Sequence, residues 1–250
     1  ALRSDRARNE VLNLTTPDTV VRNTARTGRL GLMYRFHNGL SPYASFSTAF
    51  VPNLGTDGTP GAGFLKPTTG EQKEAGVKFL SASGNTAATV SVFDIEQKNR
   101  VVDGSTPGGR EQVGSTTDGW EAEVRHRMGG LEVSANYADI SAVNDVTGKR
   151  LSAIAETTAS TWLQYRFSSG LRTGLGARYI GDLTGNAGLP EVPSVTLYDA
   201  MIGYAVGNWD LRLDAKNLAD KTYISWCRGL NQDCGYGDRF NANLTARYRF

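Results

Sequence analysis

The chain has 250 residues, 39% of them hydrophobic, and its 27 Lys and Arg nearly balance its 25 Asp and Glu, which leaves no nucleic-acid footprint. Mean hydropathy is -0.36, and no apolar run is long enough for a transmembrane helix, although a β-barrel escapes that test because its apolar residues occupy alternate positions. The 29 glycines against 8 prolines suit many turns and argue against long helices. The residues after Ala1 do not read as a signal peptide, so the sequence is expected to be mature or to start inside a longer protein.

Taken in chain order, Leu2–Arg8 reads as the end of a strand. Strand-like runs follow at 27–36, 42–50, 71–80, 86–97, 115–126, 131–140, 159–167, 171–180, 195–206 and 209–217, and another ends the sequence. Most alternate with a period of two. Leu131, Val133, Ala135 and Tyr137 oppose Glu132, Ser134 and Asn136; Trp209, Leu211, Leu213 and Ala215 oppose Asp210, Arg212, Asp214 and Lys216. The run at 86–97 alternates less cleanly, because Asp94 shares parity with Val90 and Val92. In the final DRFNANLTARYRF, Phe240, Ala242, Leu244, Ala246, Tyr248 and Phe250 lie on one face; Asn241, Asn243, Thr245, Arg247 and Arg249 lie on the other.

Two surroundings produce such strands: a one-sided soluble sheet or a membrane barrel with apolar residues toward lipid. Length favours the barrel, since soluble strands run about five or six residues and tilted membrane strands roughly nine to eleven. The connections also alternate in length. HNGLS, SASGN, RMGG, SSG and GN are short, whereas those near 51–70, 98–114, 141–158, 181–194 and 218–237 are long. Short periplasmic turns and long extracellular loops are the barrel pattern. Aromatics gather at strand ends: Tyr34, Phe36, Tyr43, Phe79, Tyr165, Phe167, Tyr204, Trp209, Tyr248 and Phe250 by the short turns, and Tyr137, Tyr179, Tyr198 and Phe240 by the long loops. That is the layout of two interfacial girdles. The expected fold is all-β, an antiparallel transmembrane β-barrel with about 11–12 strands in this chain. A soluble lectin-like sandwich is the alternative.

Longer words sharpen this reading. FLKPTTGEQKEAGVKF contains Pro67, Gly70, Glu74, Gly76 and Lys78; GWEAEV, ARYIGD and VTLYDAMIGY follow, the last with Tyr198 and Asp199; NLADKTYISWC supplies Asn217, Leu218, Asp220, Lys221 and Tyr223. In this order, with a terminal aromatic at Phe250, they resemble the carboxy-terminal half of a TonB-dependent siderophore receptor. The spacing at Tyr198 and Asp199 is shorter than the family pattern. The resemblance implies a roughly 22-stranded barrel, of which residues 1–250 are the carboxy-terminal part. It leaves this sequence without the family's plug domain and coupling box. A fragment is the expected reading, and a complete small barrel the other.

The resemblance also implies roles. Cys227 and Cys234, with six residues between them, are expected to form a disulfide in the last long loop, as in receptors similar to the ferrichrome and other hydroxamate-siderophore type. Free thiols or a weak metal site are the alternatives, and without nearby His no metal is expected. The ligand is expected to be a ferric siderophore of hydroxamate type. Trp226, Arg228 and Tyr236 are the candidate contacts, because aromatics pack on apolar ligand arms and Arg meets carbonyl or carboxylate oxygens. The expected partners are outer-membrane lipid, the TonB complex through a preceding region, and the barrel-assembly machinery, which would read Phe250. The localisation implied is the Gram-negative outer membrane. A passive porin-like channel and a non-transporting barrel remnant are the rival readings.

No enzyme is expected. His37 and His126 fall at short turns and do not cluster into a nucleophile–base arrangement. GLGARYIG lies within a strand and opens no helix, so it is no phosphate loop. Glu121, Glu123, Asp210 and Asp214 share strand faces with Arg125, Arg212 and Lys216, which reads as a salt-bridged lumen wall.

Overall fold

The computed structural model describes residues 1–11, 19–57, 63–103, 109–184, 191–228 and 233–250. Strands β1 (Leu2–Val11), β2 (Thr19–Met33), β3 (Leu40–Val51), β4 (Thr68–Leu80), β5 (Thr86–Asp103), β6 (Arg110–Met128), β7 (Leu131–Asn144), β8 (Thr157–Arg166), β9 (Leu171–Ile180), β10 (Val195–Val206) and β11 (Trp209–Lys216) follow one another. They end in β12 (Ile224–Arg228), β13 (Asp233–Tyr236) and β14 (Asn241–Tyr248). Twelve strands form one sheet in the order β1-β2-β3-β4-β5-β6-β7-β8-β9-β10-β11-β14, while β12 and β13 form a separate hairpin. Every pairing is antiparallel, so each strand returns beside its predecessor. Among the described residues the sheet is open, with β1 and β14 at its edges.

The register sorts side chains as the alternation requires. Val133, Leu163, Leu175, Ala200, Ala215 and Ala242 lie in one cross-strand row. Ser134, Trp162, Gly176 and Asp199 form a row on the opposite face. The apolar face is the bare one: Leu30, Leu32, Val92, Leu175 and Leu244 are all more than half exposed. A water-soluble sheet would cover such a face, so its solvent must itself be apolar. The short turns between β2–β3, β4–β5, β6–β7, β8–β9 and β10–β11 each contain a glycine at positive φ, namely Gly39, Gly84, Gly129, Gly170 and Gly207. At Gly39 a Cβ would also come within 2.1 Å of the Leu80 carbonyl oxygen, so only glycine closes that turn.

Aromatic pairs mark the short-turn end. Tyr34 meets Phe36 at 4.7 Å, Tyr165 meets Phe167 at 4.5 Å, and Tyr248 lies between Trp209 at 5.0 Å and Phe250 at 5.2 Å. The terminal Phe250 thus completes an aromatic cluster at the level where a membrane interface places such rings.

Three strand expectations need correction. First, β1 is a full strand and β2 begins at Thr19, eight positions before 27. Arg6, Arg8, Arg22, Thr24 and Arg26 occupy the parity that carries Leu30 and Leu32 farther along, so alternation fades there. Second, 98–114 is mostly strand, because β5 and β6 run 18 and 19 residues, far beyond what a bilayer requires. A register shift between Gln97 and Arg100, with Asn99 at φ 58, hides the pattern. Asp94 falls in this projecting part, opposite Asp118 and 3.8 Å from Lys73, which explains its parity with Val90 and Val92. Third, the long 218–237 connection contains the hairpin β12–β13.

Facing is open to a direct test. Leu175→Arg, at a position 62% exposed on the apolar face, should lower stability in lipid by roughly 2–4 kcal/mol if it sits near the midplane. Asn136→Arg, on the polar face, should be nearly neutral. Equal costs in denaturant titrations of lipid-reconstituted protein would reject the assignment of faces.

Candidate functional site

The long-loop end of the sheet is held by polar locks. Asn217 stands at φ 50 and is 2% exposed. Its Nδ2 donates to the carbonyls of Lys221 at 2.8 Å and Asp238 at 3.0 Å, and its Oδ1 accepts from the Lys221 amide at 2.9 Å. Its backbone amide donates to the Asp199 carboxylate at 3.0 Å, which also takes the Arg178 guanidinium at 2.6 and 3.1 Å. Asn217 is thus the knot that ties the last loop to β9, β10 and β14. Such a residue tolerates the left-handed conformation because its short amide bonds locally.

A second lock lies beside it. The Asp220 carboxylate takes the Arg239 guanidinium, at 2.7 Å from Nε and closely from Nη2, and the Phe240 amide at 2.9 Å. These bonds, the Arg239 one first, hold the Asp220 carboxyl down at about 2, below its ordinary 3.8. Gly237 completes the stem: its amide donates to the Tyr223 carbonyl at 2.9 Å, and a Cβ there would strike the Tyr223 ring at 2.0 Å.

Above this stem stands the hairpin β12–β13. Cys227 and Cys234 are cross-strand partners joined by a disulfide, their Cα atoms 4.1 Å apart. Cys227 is 3% exposed and packs with Leu183 and Val192, flanked by Ala155 and Ile224. Leu183 pairs with both Ala155 and Val192 through isolated bridges. Arg150 joins Glu156 at 2.6 Å and Asp182 at 3.1 Å. Segments of the three long loops after β7, β9 and β11 therefore dock on one small apolar core. Sequence reasoning missed it, although Leu183, Val192 and Ala155 were its signal: apolar residues at uncharged positions in polar loops.

The expected contact residues fall on this hairpin. Trp226 stands opposite Gly235 and Tyr236 opposite Ile224; they are 39% and 73% exposed. Gly235 matters for the first, since a Cβ there would meet the Trp226 ring at 2.4 Å. The Arg228 backbone pairs with Asp233, but its side chain lies outside the described residues. Trp162 was not singled out from sequence, yet its indole covers the backbone at Gly174 and Gly176, where a Cβ would come within 2.5 and 2.3 Å.

A second cluster braces the loop after β3. Asn53 Nδ2 donates to the Lys66 carbonyl at 2.7 Å and to Thr68 Oγ1 at 3.0 Å, while Asn9 Nδ2 donates to the Asn53 carbonyl at 2.6 Å. Gln112 bonds both the amide and the carbonyl of Lys66, at 2.8 and 2.6 Å. Among the described residues, no three His, Cys, Asp or Glu side chains are grouped to hold a metal ion.

The chain matches the family model described as TonB dependent receptor-like, beta-barrel, over residues 1–218. The ferrioxamine receptor of Yersinia enterocolitica is 31% identical, covering 99% of this chain and 37% of its own length. The ferrioxamine B receptor of Salmonella typhimurium is 32% identical, covering 84% and 32%. The ferrichrome outer membrane transporter/phage receptor of Escherichia coli is 29% identical, covering 99% and 35%. The chain thus spans about a third of the length of these curated relatives. Among solved structures, the ferripyoverdine receptor of Pseudomonas aeruginosa superposes with a TM-score of 0.76 at 23% identity, over 92% of this chain and 34% of its own. The ferric-catecholate import receptor Fiu of Escherichia coli does so with 0.75 at 22%, over 94% and 36%. These likenesses show the barrel fold.

The Asp220 lock has a defined pH dependence. A carboxyl depressed from 3.8 to about 2 contributes its stability in full above about pH 4, and loses it as pH falls toward 2. Protection of the Phe240 amide, taken as its exchange relative to the intrinsic rate at each pH, should fall over that window, and Asp220→Asn should remove the dependence. An exchange rate with no additional rise in that window, relative to Asp220→Asn, would reject the lock.

Proposed function

This chain belongs to the TonB-dependent receptor-like β-barrel family, and from that premise we propose that it supplies barrel wall and external mouth to an outer-membrane receptor for a ferric siderophore of hydroxamate type. Residues 1–250 form the carboxy-terminal part of a larger barrel in this reading. The open sheet with edges at β1 and β14 supports this, as does a span of 37% of the ferrioxamine receptor. An unpaired edge cannot face lipid, so each needs a further strand. The relatives named for ferrioxamine and ferrichrome support the ligand class. Family membership supports energy transfer through TonB, and transport rather than catalysis.

The observation that carries the reading is the docked loop cluster. Binding loops need exposure on a rigid base. The hairpin combines both: Trp226 and Tyr236 are exposed on strands pinned by the disulfide and by the core of Leu183, Val192 and Cys227. An aromatic ring can cover the apolar arms of a hydroxamate shell, and Arg228 is the third proposed contact. A freely permeable channel has no need of such an anchored mouth. Phe250, in its aromatic cluster, is the residue proposed to be read during barrel assembly.

The test uses the full-length receptor. Trp226→Ala and Tyr236→Ala should each weaken equilibrium binding of ferric ferrioxamine B by about tenfold, the loss expected where an aromatic anchor is covered by its ligand. Heat-modifiable gel mobility should stay normal. Wild-type affinity in both variants would dismiss the hairpin as the contact. Cysteine at Val146 should react with an impermeant reagent on whole cells, and cysteine at Asn38 only after permeabilisation; the opposite pattern would invert the orientation.

A further inference from the structure

Trp226 is aimed and seated by its own hairpin. The register shift between Ile224 and Trp226 is a bulge, and a bulge re-aims the side chain beside it. Trp226 then stands directly opposite Gly235, while the next pair, Cys227 and Cys234, carries the disulfide. Successive side chains point to opposite faces of a strand. Cys227 turns onto Leu183 and Val192, so Trp226 turns away from them, 39% exposed.

The seat is the missing side chain of Gly235. A Cβ there would lie 2.4 Å from both Cε2 and Nε1 of the indole and 2.7 Å from Cζ2. Ordinary contact begins at 3.4 Å, so a Cβ would drive the ring off by about 1 Å, the difference between 3.4 and 2.4 Å. The three atoms span both rings, so the indole lies flat across the Gly235 backbone. The Ser225 hydroxyl, inside the bulge, donates to the Gly235 carbonyl at 3.2 Å and fixes the seat. The barrel wall repeats the device, since the Trp162 indole covers Gly174 and Gly176.

We infer that Gly235 is a positioning residue: it lays the Trp226 indole flat, so that one broad face meets an extended aliphatic arm of an open-chain ferric hydroxamate. The ligand rests on the receptor reading above, and the seat rests on geometry alone. A ring held flat before binding has little rotamer freedom left to lose, which is how pre-organised aromatic contacts strengthen binding. The hydroxamate oxygens of such a complex are taken by the iron, so its polymethylene arms are the apolar surface it presents. A hydrocarbon strip laid on an indole face removes water from both.

The experiment uses full-length receptor and two readouts. Ferric ferrioxamine B affinity should fall about tenfold in Gly235→Ala, as in Trp226→Ala, and the double variant should lose no more than either single one, because both act through one ring. Acrylamide quenching of Trp226, taken as the difference between each protein and its Trp226→Phe counterpart, should rise in Gly235→Ala without ligand. The ferric complex of three acetohydroxamates has the same iron shell and no linking arms, and its competition for the site should not distinguish Gly235→Ala from wild type. Ser225→Ala adds no bulk and should lower ferrioxamine affinity by about threefold, only where Trp226 is present; it decides the matter if Gly235→Ala loses normal heat-modifiable mobility. Additive losses or unchanged quenching would overturn the proposal, and so would a tenfold loss for the acetohydroxamate complex. The two readings fail separately: wild-type affinity in Trp226→Ala removes the ligand contact while quenching still reports the seat, and unchanged quenching removes the seat while the receptor reading stands.

Discussion

The structure depends on the backbone hydrogen-bond ladder. In hydrocarbon no water can satisfy an unpaired N–H or C=O, so each strand must find its partners in the neighbouring strands. That one requirement sets the antiparallel order from β1 to β14, since short turns can join only adjacent antiparallel strands. It also frees the side chains from forming a core. Leu175 and Leu244 are exposed because the ladder, not their burial against one another, holds the sheet. Sorting by face then follows from the pleat alone.

Where the strands leave the lipid, water returns and the rules of soluble proteins apply again. The small core of Leu183, Val192 and Cys227 lies among the long loops and not in the sheet. Polar locks do the remaining positioning, as Asn217 does with Asp199, Lys221 and Asp238. Loops of this kind carry many backbone groups, and side-chain amides are suited to satisfying them because each both donates and accepts. The mouth is therefore ordered by local hydrogen bonding and one disulfide, with little apolar area available.

This division explains what the sequence revealed. Within the lipid zone alternation is enforced, so 131–140, 195–206 and 209–217 were legible, as were the sorted loop lengths. Outside it the constraint lapses. Residues 19–26 and 98–103 are strands whose two faces both meet water, so Arg22, Arg26 and Lys98 hide the period. The hairpin β12–β13 is short, and a bulge between Ile224 and Trp226 breaks its pattern. The family words were legible as words, but their work is architectural. Asn217, Asp220 and Tyr223 of the NLADKTY run, and Asp199 after Tyr198, build the stem beneath the hairpin. The disulfide followed from the resemblance, while its burial against Leu183 needed the fold. Trp162 was passed over because nothing in the sequence says that the glycines at 174 and 176 lie beneath it.

The stem has a further mechanical consequence. Arg178 on β9, Asp199 on β10 and Asn217 after β11 are bonded in series, and Asn217 reaches the carbonyl of Asp238 just before β14. Four strands are thereby tied at the base of one loop. The hairpin cannot tilt without straining that chain of charge-assisted bonds, which are stronger than neutral ones. Above the stem, among the described residues, the hairpin is held to the neighbouring loops by Cys227 and Ile224 against Leu183, Val192 and Ala155, and Arg150 joins the loops after β7 and β9 through Glu156 and Asp182. The wall below is thus ordered by the strand ladder and charge-assisted bonds, the mouth above by a small apolar core, one disulfide and the Arg150 pairs, and the boundary between them is the line of Asn217, Asp220 and Gly237.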